Sequence, residues 1–375
     1  MLPQETVSTY AARRHTMQTY PIALVPGPTR VPEVVRRAYL TDYGSADLEP
    51  EFFDLYLATQ DRLRRILKTQ NQIAVMTGEG MVALWSALKS CLRRGDRVLA
   101  VGNGPFGVGI GHMAEGITAE ARIVRFDFDA PMDLAVVEAA IAEYRPKMVT
   151  AVHCDTPVGN LNPIAELGAL VRRYEVPLFY VDTVSAAAGA PLEVDAWNID
   201  LALVGTQKCL SAVPDLAMVA VSPRAWDIVH DVKYAGYDAL APWDGFVERR
   251  YTPYTPSWHA TAALKVACDL VLDAGLDNVI ARHAQVAEVV RRRLREMGLR
   301  LYPRSDDFAS PTVTAVHVPD GLTWEALDGR LRERGVVMGG SWDELSGHVF
   351  RIGHMGSQAD LGLVTAGLDA LAQAL

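Results

Sequence analysis

The sequence predicts an α/β protein, with a large domain built on a mostly parallel sheet flanked by helices and a smaller C-terminal α+β domain. Three observations carry this. Short apolar strands alternate with helical patterns from about residue 58 onward, as in a sheet with helical crossovers. Several of those strands run out into a glycine or a polar stretch, where ligands of open α/β sheets collect. After the Pro- and Tyr-rich stretch ERRYTPYTPSWH the character changes to one long amphipathic helix followed by a shorter α+β pattern.

Taken in order, the start MLPQETVSTYAARRH has two arginines, Glu5 and no long apolar run, so residues 1–20 read as a terminal arm. The large domain is expected over 21–257, with strands in NQIAVMT, DRVLAVG, ARIVRFDF, KMVTAVH, VPLFYVD and IDLALVG. Four of these lead into Gly78, Gly102, the run His153 to Thr156, and Asp182. The small domain is expected over 258–375, its long helix running through LDNVIARHAQVAEVVRRRLREMG. A chain of 375 residues exceeds the usual size of one core, so two domains sharing a cleft are expected, with small-molecule chemistry in the cleft.

Composition excludes several function classes. Half the residues are apolar (50%) and 22% are charged, an ordinary globular balance. The net charge of -9 leaves no basic footprint for nucleic acid. Cys91, Cys154, Cys209 and Cys268 lie far apart and form no C-x-x-C pair, which fits thiols in a reducing compartment and indicates neither a metal site nor a disulfide framework. No apolar run approaches a membrane span, so no membrane association is expected and a cytoplasmic location follows.

The strongest chemical signal is FYVDTVSAAAGAPLEVDAWNIDLALVGTQKCL, residues 179 to 210. Asp182 stands just past one buried strand and Lys208 past a second strand that ends at Gly205. A lysine at the ligand edge of the sheet is placed to form a Schiff base with an aldehyde cofactor. A pyridine ring withdraws electrons well only when its nitrogen is protonated, and a partly buried carboxylate such as Asp182 stabilises that proton. Lys208, released as a neutral amine, would carry the proton between the substrate carbon and the cofactor.

These residues resemble the class V aminotransferases of fold type I. In that family a strand ends in Val-Asp-Ala-Val-Ser and the lysine follows Ser or Thr and Gln, matched here by VDTVS and TQK. GPTRVP (27–32), TGEGMVAL (77–84), HCDTPVGNLNP (153–163), PYTPS (253–257) and FRIGHMG (350–356) extend the resemblance over most of the chain. The resemblance implies pyridoxal 5'-phosphate, or unphosphorylated pyridoxal or pyridoxamine as substrate in the same site. It also implies an amino donor and a keto acid as small-molecule substrates, and a homodimer or higher homo-oligomer. Residue by residue it implies Lys208 and Asp182 as the catalytic pair, and Gly78, Glu79, Gly80, Phe106, Thr156 and Gln207 around the cofactor. Thr255 would reach that region from the partner subunit, and Arg351 would grip the substrate carboxylate with its planar fork. His153, in the same loop as Thr156, reads as a structural histidine.

Glu79 bears on the branch of the family. The helix after TGEG offers free N–H groups in its first turn that would receive a cofactor phosphate, and most of the family has a small hydroxyl residue there. A carboxylate within about 4 Å of a phosphate dianion is repelled by several kcal/mol even at an effective dielectric near 20. With HCDTPVGNLNPIAELGALV, ASPTVTAV and RIGHMG, this residue makes the chain similar to the branch that transfers an amino group from unphosphorylated pyridoxamine to pyruvate. The alternative is the pyridoxal 5'-phosphate-dependent exchange between alanine or serine and glyoxylate or pyruvate, which holds if Glu79 points to solvent. Phe106 stands where that branch has a tyrosine, Trp342 where it has an arginine, and Asp215 interrupts its Pro-Pro-Gly-Leu after the lysine.

Two other classes compete. VLAVGNGPFG places Gly102, Gly104 and Gly107 in G-x-G-x-x-G spacing, with Asp127 about 20 residues on, as in an NAD-dependent oxidoreductase. The motif follows the second strand, however, and Pro105 sits inside its turn, so the glycines are expected instead to make room for the ring and Phe106. Against a non-catalytic vitamin B6-binding protein stand the intact Asp182, Lys208 and Arg351.

Overall fold

A computed structural model of the protein describes residues 18–117 and 119–375, and most of the expected terminal arm lies outside them. The strands run in chain order β1 (Ile22–Leu24), β2 (Gln72–Thr77), β3 (Arg97–Gly102), β4 (Glu120–Arg125), β5 (Met148–Val152), β6 (Cys154–Asp155), β7 (Asn160–Leu161), β8 (Leu178–Asp182), β9 (Leu201–Gly205), β10 (Leu216–Val221), β11 (Val313–His317), β12 (Val336–Gly340) and β13 (Val349–Gly353).

Seven of them form the large sheet, in the order β2-β10-β9-β8-β5-β3-β4. The neighbours from β9 to β4 are parallel, and β10 is antiparallel to both β2 and β9. β5, β8, β9 and β10 are buried at every residue, because helices cover both faces and an unbroken apolar run is what such a position demands. The six expected strands all form. β10, the apolar run LAMVAV, is an addition to them: it follows the Lys208 turn directly and folds back antiparallel into the sheet. The parallel arrangement brings the C-terminal ends of β3, β5, β8 and β9 to one edge, with Asp182 level with Val152 on one side and Leu203 on the other. The site is built on this edge.

The smaller sheet has the order β1-β12-β13-β11, with β1 parallel to β12 and the other neighbours antiparallel. Leu24, Val286, Val290, Leu294, Phe350, Ile352, Val364 and Leu368 form its core. The long helix expected there runs Leu276–Glu296. Two segments sit differently from a division between 257 and 258. β1 belongs to the expected large domain by sequence, yet it pairs with β12 and puts Leu24 in the small core. Helix Trp258–Asp273 falls past the expected boundary, yet it buries Trp258, Leu264, Cys268 and Val271 in the large core. Each goes where its apolar face finds a matching surface, and local composition does not encode that choice.

Candidate active site

A cavity of about 330 Å³ opens at the strand-end edge of the large sheet. Its lining brings together Glu79, Gly80, Phe106, Thr156, Asp182, Gln207 and Lys208 out of the residues expected from sequence.

Asp182 ends β8 and is 8% exposed, and its Oδ1 accepts the Val184 N–H at 2.8 Å. Burial pushes its carboxyl up to about 6, against the opposing pull of that N–H and of the Lys208 charge. Lys208 is carried by the turn between β9 and β10. The Thr206 hydroxyl donates to the Val213 and Leu216 carbonyls at 2.5 and 3.1 Å and so closes the turn. The lysine stem lies against Gly27, where a Cβ would come within 2.6 Å of its Cδ and 2.7 Å of its Nζ. Only glycine leaves that space. Nζ donates to the Pro26 carbonyl at 2.6 Å, and burial, followed by repulsion from Arg351, pulls the amine down to about 8. A neutral amine, the nucleophilic form, is therefore accessible close to neutral pH.

Phe106 opens helix Pro105–Gly116, which begins with Pro105 at its first position. Asp155, buried on β6, accepts the Gly107 N–H at 2.9 Å and the Phe106 N–H at 3.4 Å. Burial pushes Asp155 up to about 7 despite those bonds. The glycines of the G-x-G-x-x-G run make room for this arrangement rather than for a ring. A Cβ on Gly104 would lie 2.5 Å from Asp155 Oδ2, and one on Gly102 2.6 Å from the Val108 nitrogen. A dinucleotide pyrophosphate would find those N–H groups already taken by a carboxylate.

Glu79 is the N-cap of helix Gly80–Cys91 and is half-buried. It lines the cavity, and its Oε1 accepts the Met81 N–H at 3.1 Å in a solvent-exposed bond. Gly78, at φ +128°, turns the chain out of β2 without itself lining the cavity, and its N–H donates to the Asp215 carbonyl at 2.7 Å. The Asp215 side chain accepts the Tyr39 hydroxyl at 2.9 Å, so this departure ties the chain after the lysine to the short helix Ala38–Leu40.

Thr156 shares a 2.6 Å hydrogen bond with the Ser185 hydroxyl, and the Gln207 Oε1 is buried without a protein partner. Arg351, in the middle of β13, is outside the cavity lining but near enough for its charge to act on Lys208. Its Nε and Nη2 donate to the Gly340 carbonyl at 2.9 and 2.5 Å, and burial pulls it down to about 10. Thr255 is exposed and outside the cavity. His153 packs edge-on against Trp197 at 5.5 Å and is not a lining residue. Gly27, Cys154, Asp155 and Ser185 carry no assigned role in the sequence motifs, although each stands inside one, next to a residue with an expected role or at one end of the motif.

A buried amine of lowered basicity, a carboxylate at a neighbouring strand end and an aromatic ring in the same cavity lining fit a pyridine aldehyde held on a lysine. This is the arrangement of a vitamin B6 enzyme on an α/β frame. The model of the family described as aminotransferase class-V matches residues 26–342. An uncharacterized aminotransferase of Methanocaldococcus jannaschii is 36% identical over 89% of this chain and 88% of its own. The pyridoxamine–pyruvate transaminase of Mesorhizobium japonicum is 34% identical over 94% of this chain and 91% of its own. The crystal structure of pyridoxamine-pyruvate aminotransferase from Mesorhizobium loti superposes with a TM-score of 0.91 at 31% identity, covering 95% of this chain and 92% of that one. The chain belongs to the class V aminotransferase family, has the fold type I architecture and is a transaminase. Enzymes of this family use pyridoxal phosphate. No helix among the described residues is long and apolar enough to cross a membrane.

Proposed function

We propose that this transaminase moves an amino group from pyridoxamine to pyruvate, giving pyridoxal and L-alanine, with unphosphorylated vitamin B6 as a substrate beside Lys208. The observation that carries this is the Glu79 carboxylate, which lines the cavity at a helix N-terminus and occupies the Met81 N–H a phosphate would use. Among the described residues, Lys208 is the only cationic side chain in the cavity lining, so no other side-chain cation there offsets a phosphate charge. At a separation of about 4 Å the carboxylate repels each unit of phosphate charge by about 4 kcal/mol at an effective dielectric near 20.

Bound B6 supplies a carbonyl or amine conjugated to an electron-withdrawing ring, through which amino groups are exchanged. Asp182 holds a proton at the ring nitrogen. Lys208 supplies the amine that takes up the aldehyde and, once free, moves the proton at the substrate carbon through Nζ. Phe106 covers the ring, Thr156 and Gln207 offer polar contacts at its edge, and Gly80 lets the helix start approach closely. Arg351 grips the keto acid carboxylate from across the cleft. Thr255, turned out of its own cavity, serves the site of a partner subunit in a homodimer, and the buried thiols fit a cytoplasmic enzyme.

The test is incubation of the purified protein with pyridoxamine and pyruvate and no phosphorylated cofactor. Pyridoxal and alanine are expected in equal amounts. Turnover of alanine or serine with glyoxylate only after pyridoxal 5'-phosphate is added, and none of pyridoxamine, would replace this reading with the alternative.

A further inference from the structure

Trp342 stands where the chain leaves β12, on the small-domain side of the cleft, and is 41% exposed. Its ring lies 4.5 Å from the Arg351 guanidinium and meets Phe106 edge-on at 5.7 Å, so it bridges the two sides of the site. The same turn is held to the large domain by Glu344, whose carboxylate accepts Arg125 Nη2 at 2.6 and 3.0 Å. Arg351 is 5% exposed, and burial alone accounts for its lowered basicity, with no acid acting on it. Its Nε and Nη2 are drawn to the Gly340 carbonyl, which leaves the Nη1 edge for a ligand.

We propose that Trp342 determines which keto acid is accepted, admitting acids with one carboxylate and an uncharged side chain and rejecting dicarboxylic ones. The proposal rests on Arg351 as the carboxylate anchor. With one guanidinium face under the indole and one edge on Gly340, Arg351 has room for a single in-plane carboxylate. A second carboxylate on the acceptor would meet the negative face of an aromatic ring and lose its water without gaining a donor. An uncharged side chain instead buries against Trp342 and Phe106, which are already in contact.

The test uses full-length wild type, Trp342→Leu, Trp342→Ala and Arg351→Ala, each with the B6 donor. Pyruvate, 2-oxobutyrate and 2-oxoglutarate are compared by kcat/KM and by calorimetric binding. Trp342 is partly exposed, so both of its variants are expected to fold. Wild type should prefer the first two acids. Trp342→Ala, which removes the ring face, should shift the ratio toward 2-oxoglutarate by about tenfold, and Trp342→Leu, which keeps apolar bulk without an aromatic face, should shift it the same way by less. An unchanged ratio in both variants, with Arg351→Ala weakening all three acids, overturns the role of Trp342 alone. Unweakened binding in Arg351→Ala removes the anchor and the proposal with it.

Discussion

Two helices aim their N-termini at the same cavity and both end on a carboxylate, but the carboxylates come from different places. Glu79 caps its own helix from the preceding position, is half-buried and faces the cavity. Asp155 arrives from β6, is fully buried, and holds the Phe106 and Gly107 N–H groups of a helix that follows β3. A local cap facing a ligand can be exchanged with little cost to the fold, and so it is free to set what the ligand carries. A cap supplied from a distant strand joins two parts of the sheet edge and fixes the backbone that carries Phe106 into the cavity lining. On the proposed reading, one device, a carboxylate on a helix N-terminus, serves selectivity in the first place and positioning in the second.

Both termini surround Lys208, so its loss should give the largest effect. Lys208→Ala is expected to slow transamination at least by the 10² to 10⁴ that general acid-base transfer typically gives, with loss of the near-visible absorbance that pyridoxal acquires on an amine. Near-normal turnover would mean that neither helix points at the reacting centre.

The next effect separates the two caps by stability. Asp155→Ala strands two helix N–H groups inside the protein and should cost about 2–6 kcal/mol in denaturant unfolding, at 1–3 kcal/mol per unsatisfied group. Glu79→Ala should cost only about 1 kcal/mol, since water can reach the freed N–H. Equal losses would break the comparison.

The smallest effect is in pH. Burial disfavours the charged ammonium, so Lys208 gives up its proton near 8 rather than 10.5 and its neutral fraction rises with pH through that region. The rate of pyridoxal capture should therefore climb with a midpoint near 8. Arg351→Ala removes the second cause of that shift, and the midpoint should move up. A midpoint that stays put would show that Arg351 does not act on the amine.

Much of this is legible in the sequence because it is local. Asp182 and Lys208 each sit at a strand end within a few residues of an apolar run, and the run TGEG ahead of an apolar helical pattern marks Glu79 as a helix start. The rest depends on long-range contact. Nothing near Gly27 says that a lysine stem will lie on it, and nothing in Asp155 says that its carboxylate will cap a helix starting at Pro105. The G-x-G-x-x-G spacing is a true sign of close packing, but spacing alone does not tell a pyrophosphate from an internal carboxylate. LAMVAV carries apolar character without direction, so its antiparallel insertion has no local signal.

The central claim is that Glu79 excludes phosphate, and one titration tests it most directly. Apo wild type and Glu79→Ser are titrated with pyridoxal and with pyridoxal 5'-phosphate, following the near-visible band. Wild type should bind pyridoxal and take the phosphorylated form poorly. In Glu79→Ser the Met81 N–H is released and a repulsion of several kcal/mol disappears, so affinity for pyridoxal 5'-phosphate should rise by about two to three orders of magnitude and the preference should reverse. Tight binding of pyridoxal 5'-phosphate by wild type, unchanged in Glu79→Ser, would contradict the account.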